Sequence, residues 1–481
     1  MGLSTWWLAR SESSTSDKAK ASVAAASGPK PVPLQAWKLS AVSTPLSPRN
    51  QLDDKEPTAA PSGEKAEATA STSPSLTSRL NLRGLKTQAK DLLQQYASAV
   101  SLYPSLVHLT APCVTKDLSL CEPAQPLAEP EQSTPFWTAS EALLGFESLV
   151  QSLVTKNALE TRMTSDGCGG VYFLEDASAP HGKPLAIFKP RDEEYMAPKN
   201  PRGYVKENAI VGETEHPVNK GFRVGNGALR ERAVYLLDEA YGNFSGVPVT
   251  SVMSLPLKDG EVKEGSVQAF VESECSAEDM GPLKFSVPEV HKIAILDVRL
   301  FNTDRHAGNI LLHKHSPGSA TYEMTPIDHG FCLPSYKHLD NANFDWLSWP
   351  QAQYPLTCEE FDHIASLDAT RDASLLRSLG IEEECITTMR ICTALLKIGA
   401  EAGFSLQEIG SHLQRDGDFS QPSTLEKMVA DAVEVIKETV ECDETSAAFE
   451  DALVEEVTRA TAVMFGKQNP KKKVRSISCF T

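Results

Sequence analysis

The chain has 481 residues, 41% of them hydrophobic and 23% charged, with a formal net charge of −18. That balance supports a sizeable core and argues against a general nucleic-acid binder, which needs positive charge to displace counterions. No run of about 18 apolar residues suggests a transmembrane helix. Ten dispersed cysteines without CxxC spacing suit a reducing compartment and offer no zinc-site spacing.

Residues 1–134 are rich in Ser, Ala, Pro and Thr. Such a segment buries too little apolar surface to offset its ordering entropy and is expected to be disordered. Within it Leu82, Leu85, Ala89, Leu92, Leu93, Tyr96 and Val100 recur at helical spacing, which predicts a helix near 80–103, ending before Pro104.

A small lobe is expected over 135–271. It opens on an apolar-periodic helix, Phe136 to Leu153. Candidate strands follow around Thr161–Thr164, Val171–Leu174 and Leu185–Pro190, then a helix from Ala228 to Ala240 and extended segments at Val247–Thr250 and Gly265–Val271. From 272 to 465 helical periodicity dominates. A helix is predicted over His291–Phe301, a hairpin with strands near Asn309–His313 and Tyr322–Asp328, and helices near Cys358–Leu367, Ile381–Ala400 and Leu425–Val440. A sheet-rich lobe followed by a larger helical one is an α+β, bilobal arrangement of the protein-kinase kind. The tail, 466–481, carries Lys471, Lys472, Lys473 and Arg475 inside an acidic protein. It reads as a solvated terminus, with a lipid-surface contact or phosphorylation of Ser476 or Ser478 as the functional alternatives.

The chemistry concentrates in four segments. In Asp304–Arg305–His306–Ala307–Gly308–Asn309 an Asp and an Asn stand five residues apart between a helix and a strand. Phosphoryl transfer needs a carboxylate to orient the attacking hydroxyl and an amide oxygen to hold a metal at that offset. Asp328, in Ile327–Asp328–His329–Gly330, ends the following hairpin, where a carboxylate chelates a divalent cation between phosphates. Lys189, on a strand after a glycine turn, suits phosphate oxygens, with Glu231 on the next helix as its acidic partner. The turn itself, Ser165–Asp166–Gly167–Cys168–Gly169–Gly170, permits close backbone approach to phosphate. Gly225–Asn226–Gly227 reads instead as a loop feeding the next helix. Taken singly, each of these residues is more often a turn former or a solvated surface charge; their order along the chain is what carries the reading.

These segments resemble the type II phosphatidylinositol 4-kinases, and within them the plant gamma-type subgroup of the phosphoinositide 3-/4-kinase superfamily. The likeness rests on the inverted Asp304-Arg-His, on Phe188-Lys189-Pro-Arg-Asp-Glu-Glu with Asn200-Pro-Arg-Gly, on Tyr235-Leu-Leu-Asp238 with Gly246-Val-Pro, on Gly265 to Val271, on Ile295-Leu-Asp-Val-Arg299 and on Phe344-Asp-Trp-Leu-Ser-Trp-Pro-Gln351. It runs over about residues 150–445. It implies transfer of the ATP γ-phosphate to the inositol 4-hydroxyl of phosphatidylinositol. By that resemblance Asp304 is the catalytic carboxylate, with His306 and Arg305 steadying the loop or the transferred phosphate. Asn309 and Asp328 hold Mg²⁺, with Mn²⁺ the alternative ion. Ser165, Gly167, Gly169, Gly170, Lys189 and Glu231 form the phosphate site, and Gln268, Ala269, Phe270 and Val271 the adenine site. The chain departs from animal type II enzymes, whose palmitoylated cysteine cluster precedes the catalytic loop: Glu272 to Val287 holds Cys275 alone. The expectation is therefore a cytoplasmic monomer in peripheral contact with anionic membrane. A serine/threonine protein kinase on the same scaffold and an inactive kinase-like interaction module are the alternatives. The acceptor would be read by Gly330 to Asn343, where Lys337 and His338 are the basic side chains.

Overall fold

The computed structural model describes residues 140–468 apart from 166, 180–182, 315–320, 341, 418, 440–442 and 445. The helix expected near 80–103, the disorder expected over 1–134 and the basic tail all lie outside those residues. The described residues belong to one compact unit.

Helix α1 (Glu141–Thr155) begins where the Ser140 hydroxyl accepts from the Leu143 amide, a capping bond. It buries Leu143, Val150 and Leu153, the stripe that its periodicity predicts. Strands β1 (Leu159–Met163), β2 (Tyr172–Asp176), β3 (Ala186–Pro190), β4 (Thr250–Pro256) and β5 (Val262–Ala269) form one sheet in the order β1-β2-β3-β5-β4, every pair antiparallel. Val150 of α1 packs with Leu174, Ala186, Phe188, Leu255 and Val267 as the core of this part. Helix α2 (Gly227–Glu239) follows a long connection from β3. Ala233 to Leu237 of α2 join Leu296, Leu300 and the helices beyond in a second cluster that ties α2 to the helical part.

Helix α3 (Val287–Leu300) carries Pro288 in its first turn and stops at Phe301, which is buried with φ 46 in the left-handed region. A bulky residue there is strained, and the sharp turn it makes throws the chain into Asn302–Asn309. A second sheet, β6 (Cys275–Ser276), β7 (Ile310–His313) and β8 (Glu323–Pro326), holds the far end of that loop. Helices α4 (Cys358–Ser366), α5 (Ala369–Ser378), α6 (Glu383–Glu401), α7 (Leu406–Gly410), α8 (Thr424–Thr439) and α9 (Ala447–Gln468) complete the protein-kinase-like α+β fold. Cys392, Leu395, Leu396 and Ile398 of α6 sit in the main core with α3, α7, α8 and α9.

The helices and strands expected from periodicity agree with the structure to within a few residues, with these differences. The extended segment at Val247–Thr250 leads into β4, which runs on to Pro256 and hairpins with β5 through a turn at Lys258–Gly260. Strand β5 ends at Ala269, so Phe270 and Val271 lie beyond it. Helices α5, α7 and α9 were not expected; α5 is short and polar on one face, and the apolar positions of α9 are interrupted by Glu455 and Glu456.

Candidate active site

Lys189 sits on β3 opposite Ser266 of β5, with only 16% of its side chain exposed. Its ammonium donates to Glu231 Oε1 of α2 at 2.6 Å and to Asp328 Oδ1 at 3.1 Å. Burial penalises that charge, but the carboxylates of Asp328 and Glu231 outweigh the penalty and raise the Lys189 pKa. Burial likewise disfavours the Glu231 carboxylate, while Lys189 and then His329 pull its pKa down on balance. The chain thus brings a lysine and two acidic side chains from three separate elements to one point.

Asp328 adopts φ 58, a left-handed conformation that swings its carboxylate towards Lys189. Asn309 is fully buried; its amide nitrogen donates to the Asp304 carbonyl at 3.0 Å, and its Oδ1 accepts from nothing. An orphaned buried amide oxygen a loop away from a carboxylate is the donor set a hard divalent cation takes. Among the described residues no group of three His, Cys, Asp or Glu side chains forms a metal cluster.

The loop bearing Asp304 hangs on a buried frame. Arg305, fully buried, donates through Nε to both Asp297 oxygens at 3.0 and 3.1 Å and through one terminal nitrogen to the carbonyls of Asn309 (2.7 Å) and Ile327 (2.8 Å). Asp297 also accepts from Asn302 and from the Trp346 indole, each at 3.0 Å. Asp345 closes the frame by accepting from the Ala307 amide at 2.7 Å. All of these Arg305 bonds run to Asp297 and to main-chain carbonyls of the loop and hairpin, and Arg305 does not line the cavity. His306 Nδ1 accepts from the Gly308 amide at 3.0 Å, and burial lowers the His306 pKa, which keeps the ring neutral.

The glycine turn is pinned from outside. Arg202 donates to the carbonyls of Thr164 (2.8 Å), Ser165 (2.9 Å) and Gly169 (3.1 Å), and Asn200 to that of Cys168 at 2.7 Å. The Gly170 amide donates to the Glu193 carbonyl at 2.9 Å. Gly170 thus has its N–H already committed within the chain. Its lack of a side chain matters instead: a Cβ there would meet the Glu193 carboxylate at 1.8 Å. Gly167 has φ 94, which favours glycine.

A cavity of about 100 Å³ runs from Cys168, Gly169 and Gly170 past Lys189, Asp304 and Asp328 to Tyr195, His216, Phe222 and Phe331. Ser165 and Gly167 do not line it. His216 stands edge-on to Phe331 at 5.9 Å, and burial pushes its pKa down to about 4. A separate, smaller cleft is lined by Gln268, Ala269, Phe270 and Val271 with Phe173, Ile187, Leu311 and Ile327. The walls are apolar, as a flat heterocycle needs, while the Ala269 and Phe270 amides donate to the Val249 and Leu185 carbonyls at 2.8 and 3.0 Å. The Gln268 side chain itself is committed to Thr250 at 3.0 Å.

Sequence reasoning missed several supports. Glu194 accepts from the Gly227 and Ala228 amides at 3.1 and 3.0 Å, capping α2, and burial pushes its pKa up to about 7. Asp297, Trp346 and Arg202 stand in the quoted blocks, yet their spacing carries no signal of the frame they build. Lys337 and His338, expected to read an acceptor, face acids instead: Lys337 bonds Glu384 at 2.5 Å and His338 lies 4.0 Å from Glu215.

Residues 167–409 match the family described as phosphatidylinositol 3- and 4-kinase, and the chain belongs to that family. It is 44% identical over 285 residues to phosphatidylinositol 4-kinase gamma 4 of Oryza sativa subsp. japonica, which covers 57% of this chain and 48% of the relative. Against phosphatidylinositol 4-kinase gamma 4 of Arabidopsis thaliana it is 42% identical over 292 residues, covering 57% and 49%. Phosphatidylinositol 4-kinase gamma 3 of the same plant is 39% identical over 296 residues, covering 57% and 50%. The matched part spans about half the length of each of these relatives.

Proposed function

We propose that this chain transfers the ATP γ-phosphate to the 4-hydroxyl of phosphatidylinositol. The observation that carries the phosphotransferase reading is the convergence of Lys189 on Glu231 and Asp328 beside Asp304. The names of the relatives supply the lipid acceptor.

Main-chain groups around Gln268 to Val271 take the adenine. Lys189 holds phosphate oxygens as a point charge, steadied by Glu231. Asn309 Oδ1 and Asp328 hold Mg²⁺, whose charge offsets that of the phosphates when bound; Mn²⁺ fits the same oxygen donors. Asp304 orients the acceptor hydroxyl and takes its proton as the new O–P bond forms and the bond from the γ-phosphorus to the bridging oxygen breaks, releasing ADP. The Gly169–Gly170 backbone, anchored by Arg202, covers the phosphates and excludes water.

The aromatic end of the cavity, His216, Phe222 and Phe331, suits a ring-shaped acceptor better than a highly charged one, and the commitment of Lys337 to Glu384 leaves little unpaired positive charge in the segment after Asp328. Among the described residues no helix is long and apolar enough to cross a membrane; the proposal has a monomer meeting its bilayer lipid by peripheral contact.

The test is transfer of labelled phosphate from ATP with Mg²⁺ to phosphatidylinositol vesicles, against an Asp328→Ala control. A phosphatidylinositol phosphate product lost in the control supports the lipid reading. Label on protein alone moves the assignment to a protein kinase on the same fold, and no label anywhere to an inactive module.

A further inference from the structure

His329 follows Asp328 and is fully buried, yet neither of its ring nitrogens has a hydrogen-bond partner. Its Nδ1 lies 3.6 Å from Glu231 Oε2. That oxygen is also buried and also lacks a partner, while the other oxygen of the same carboxylate holds Lys189 at 2.6 Å. Two buried polar atoms without partners, one able to donate and the other to accept, therefore face each other slightly beyond bonding distance. Leaving both unmade is costly, and an apolar ring would fill the same space without that cost. Packing alone does not account for a histidine here.

The connectivity gives the pair a purpose. His329 is bonded through the main chain to Asp328, Asp328 meets Lys189, Lys189 meets Glu231, and Glu231 faces His329. The four side chains form a ring that joins β3, α2 and the loop after β8. Every contact in it is within bonding distance except the last.

We propose that His329 is a positioning residue: with nucleotide bound, its Nδ1–H donates to Glu231 Oε2, closing the ring and fixing the carboxylate that aims Lys189. Hydrogen bonds of this kind are commonly long in the empty enzyme and tighten in the complex. The inference rests on the reading of Lys189 as the phosphate-binding lysine.

Four variants and one spectrum test it. His329→Phe keeps the ring volume and removes the donor; His329→Asn keeps a donor near the Nδ1 position. The dissociation constant of ATP·Mg²⁺, measured by calorimetry, is expected to rise about tenfold or more in the Phe variant, as for loss of a hydrogen bond to a charged group, and to stay within about threefold of the parent in the Asn variant. In a Glu231→Gln background, adding His329→Phe is expected to change that constant no further, because the interaction is already broken. Equal affinities for parent and Phe variant, Asn failing as badly as Phe, or additive losses would each overturn the proposal. Should the Phe variant not fold, ¹⁵N-histidine spectra of the parent decide: a non-hydrolysable ATP analogue with Mg²⁺ must shift the His329 Nδ1 signal into the hydrogen-bonded range, and an unmoved signal overturns the idea. Parent protein that binds no ATP removes the phosphate-lysine reading itself, and this inference with it.

Discussion

The glycine turn and the Asp304 loop both line the main cavity, but they are held by different means. The loop from Asn302 to Asn309 hangs on Arg305 and Asp297, both essentially out of solvent and bonded to each other, to Asn302, to Trp346 and to two carbonyls. The turn is held by the part-buried Arg202 and the buried Asn200, which reach to carbonyls from the long β3–α2 connection. A buried charged frame tolerates little change, because losing one partner strands the other in low dielectric. A frame of side chain-to-carbonyl bonds near solvent loses far less, since water replaces the missing donor. The Asp304 loop is thus a rigid floor to the cavity, and the glycine turn a cover more tolerant of substitution.

The largest effect should come where the two regions meet. Lys189→Ala removes the cation that both carboxylates surround, and transfer is expected to fall by about a thousandfold or more, read as initial rates at saturating acceptor. Next is the floor. Arg305→Met leaves Asp297 without its main partner and should cost about 3–5 kcal/mol in chemical denaturation; a cost near zero would mean that the frame is ornamental. Glu194→Gln probes the base of α2. The Glu194 pKa is raised in the folded state to about 7, so the folded protein holds a proton that the unfolded chain has released. That stability is fully present below the unfolded value and is lost as pH rises through about 7. The Gln variant should therefore gain on the parent by about 1–3 kcal/mol between pH 4.5 and 8, seen as a flatter dependence of thermal midpoint on pH. Arg202→Ala tests the cover: stability should move by less than about 1 kcal/mol, while KM for ATP rises by roughly threefold to tenfold. The smallest effect belongs to Lys337→Ala, whose charge already serves Glu384; transfer to lipid should change by less than about twofold.

Most of the fold was legible because periodicity records burial directly: α1, α2, α3 and the β7–β8 hairpin follow their apolar spacing. Helices α5 and α9 were not, because their burial is decided by neighbours: Asp372 of α5 is buried as the partner of Arg299, and Glu450 of α9 is buried as well. In the candidate site, residue type and order nominate Lys189, Glu231, Asp304, Asn309 and Asp328, and the structure brings Lys189, Glu231 and Asp328 into contact. The supports were hidden. Nothing in the spacing tells that Arg305 turns inward to Asp297, that Gly170 spends its amide on Glu193, or that Lys337 is already paired. Those facts come from long-range pairing, which one sequence does not encode in any local pattern.

The most direct test of this division of labour is calorimetric binding of ATP·Mg²⁺ to Asp304→Asn, with transfer measured on the same preparation. The account assigns Asp304 to the acceptor proton and leaves the phosphates to Lys189, Asn309 and Asp328. It predicts ATP affinity within about threefold of the parent, with transfer lost by at least about a hundredfold. Affinity and transfer falling together, or transfer surviving, would contradict it.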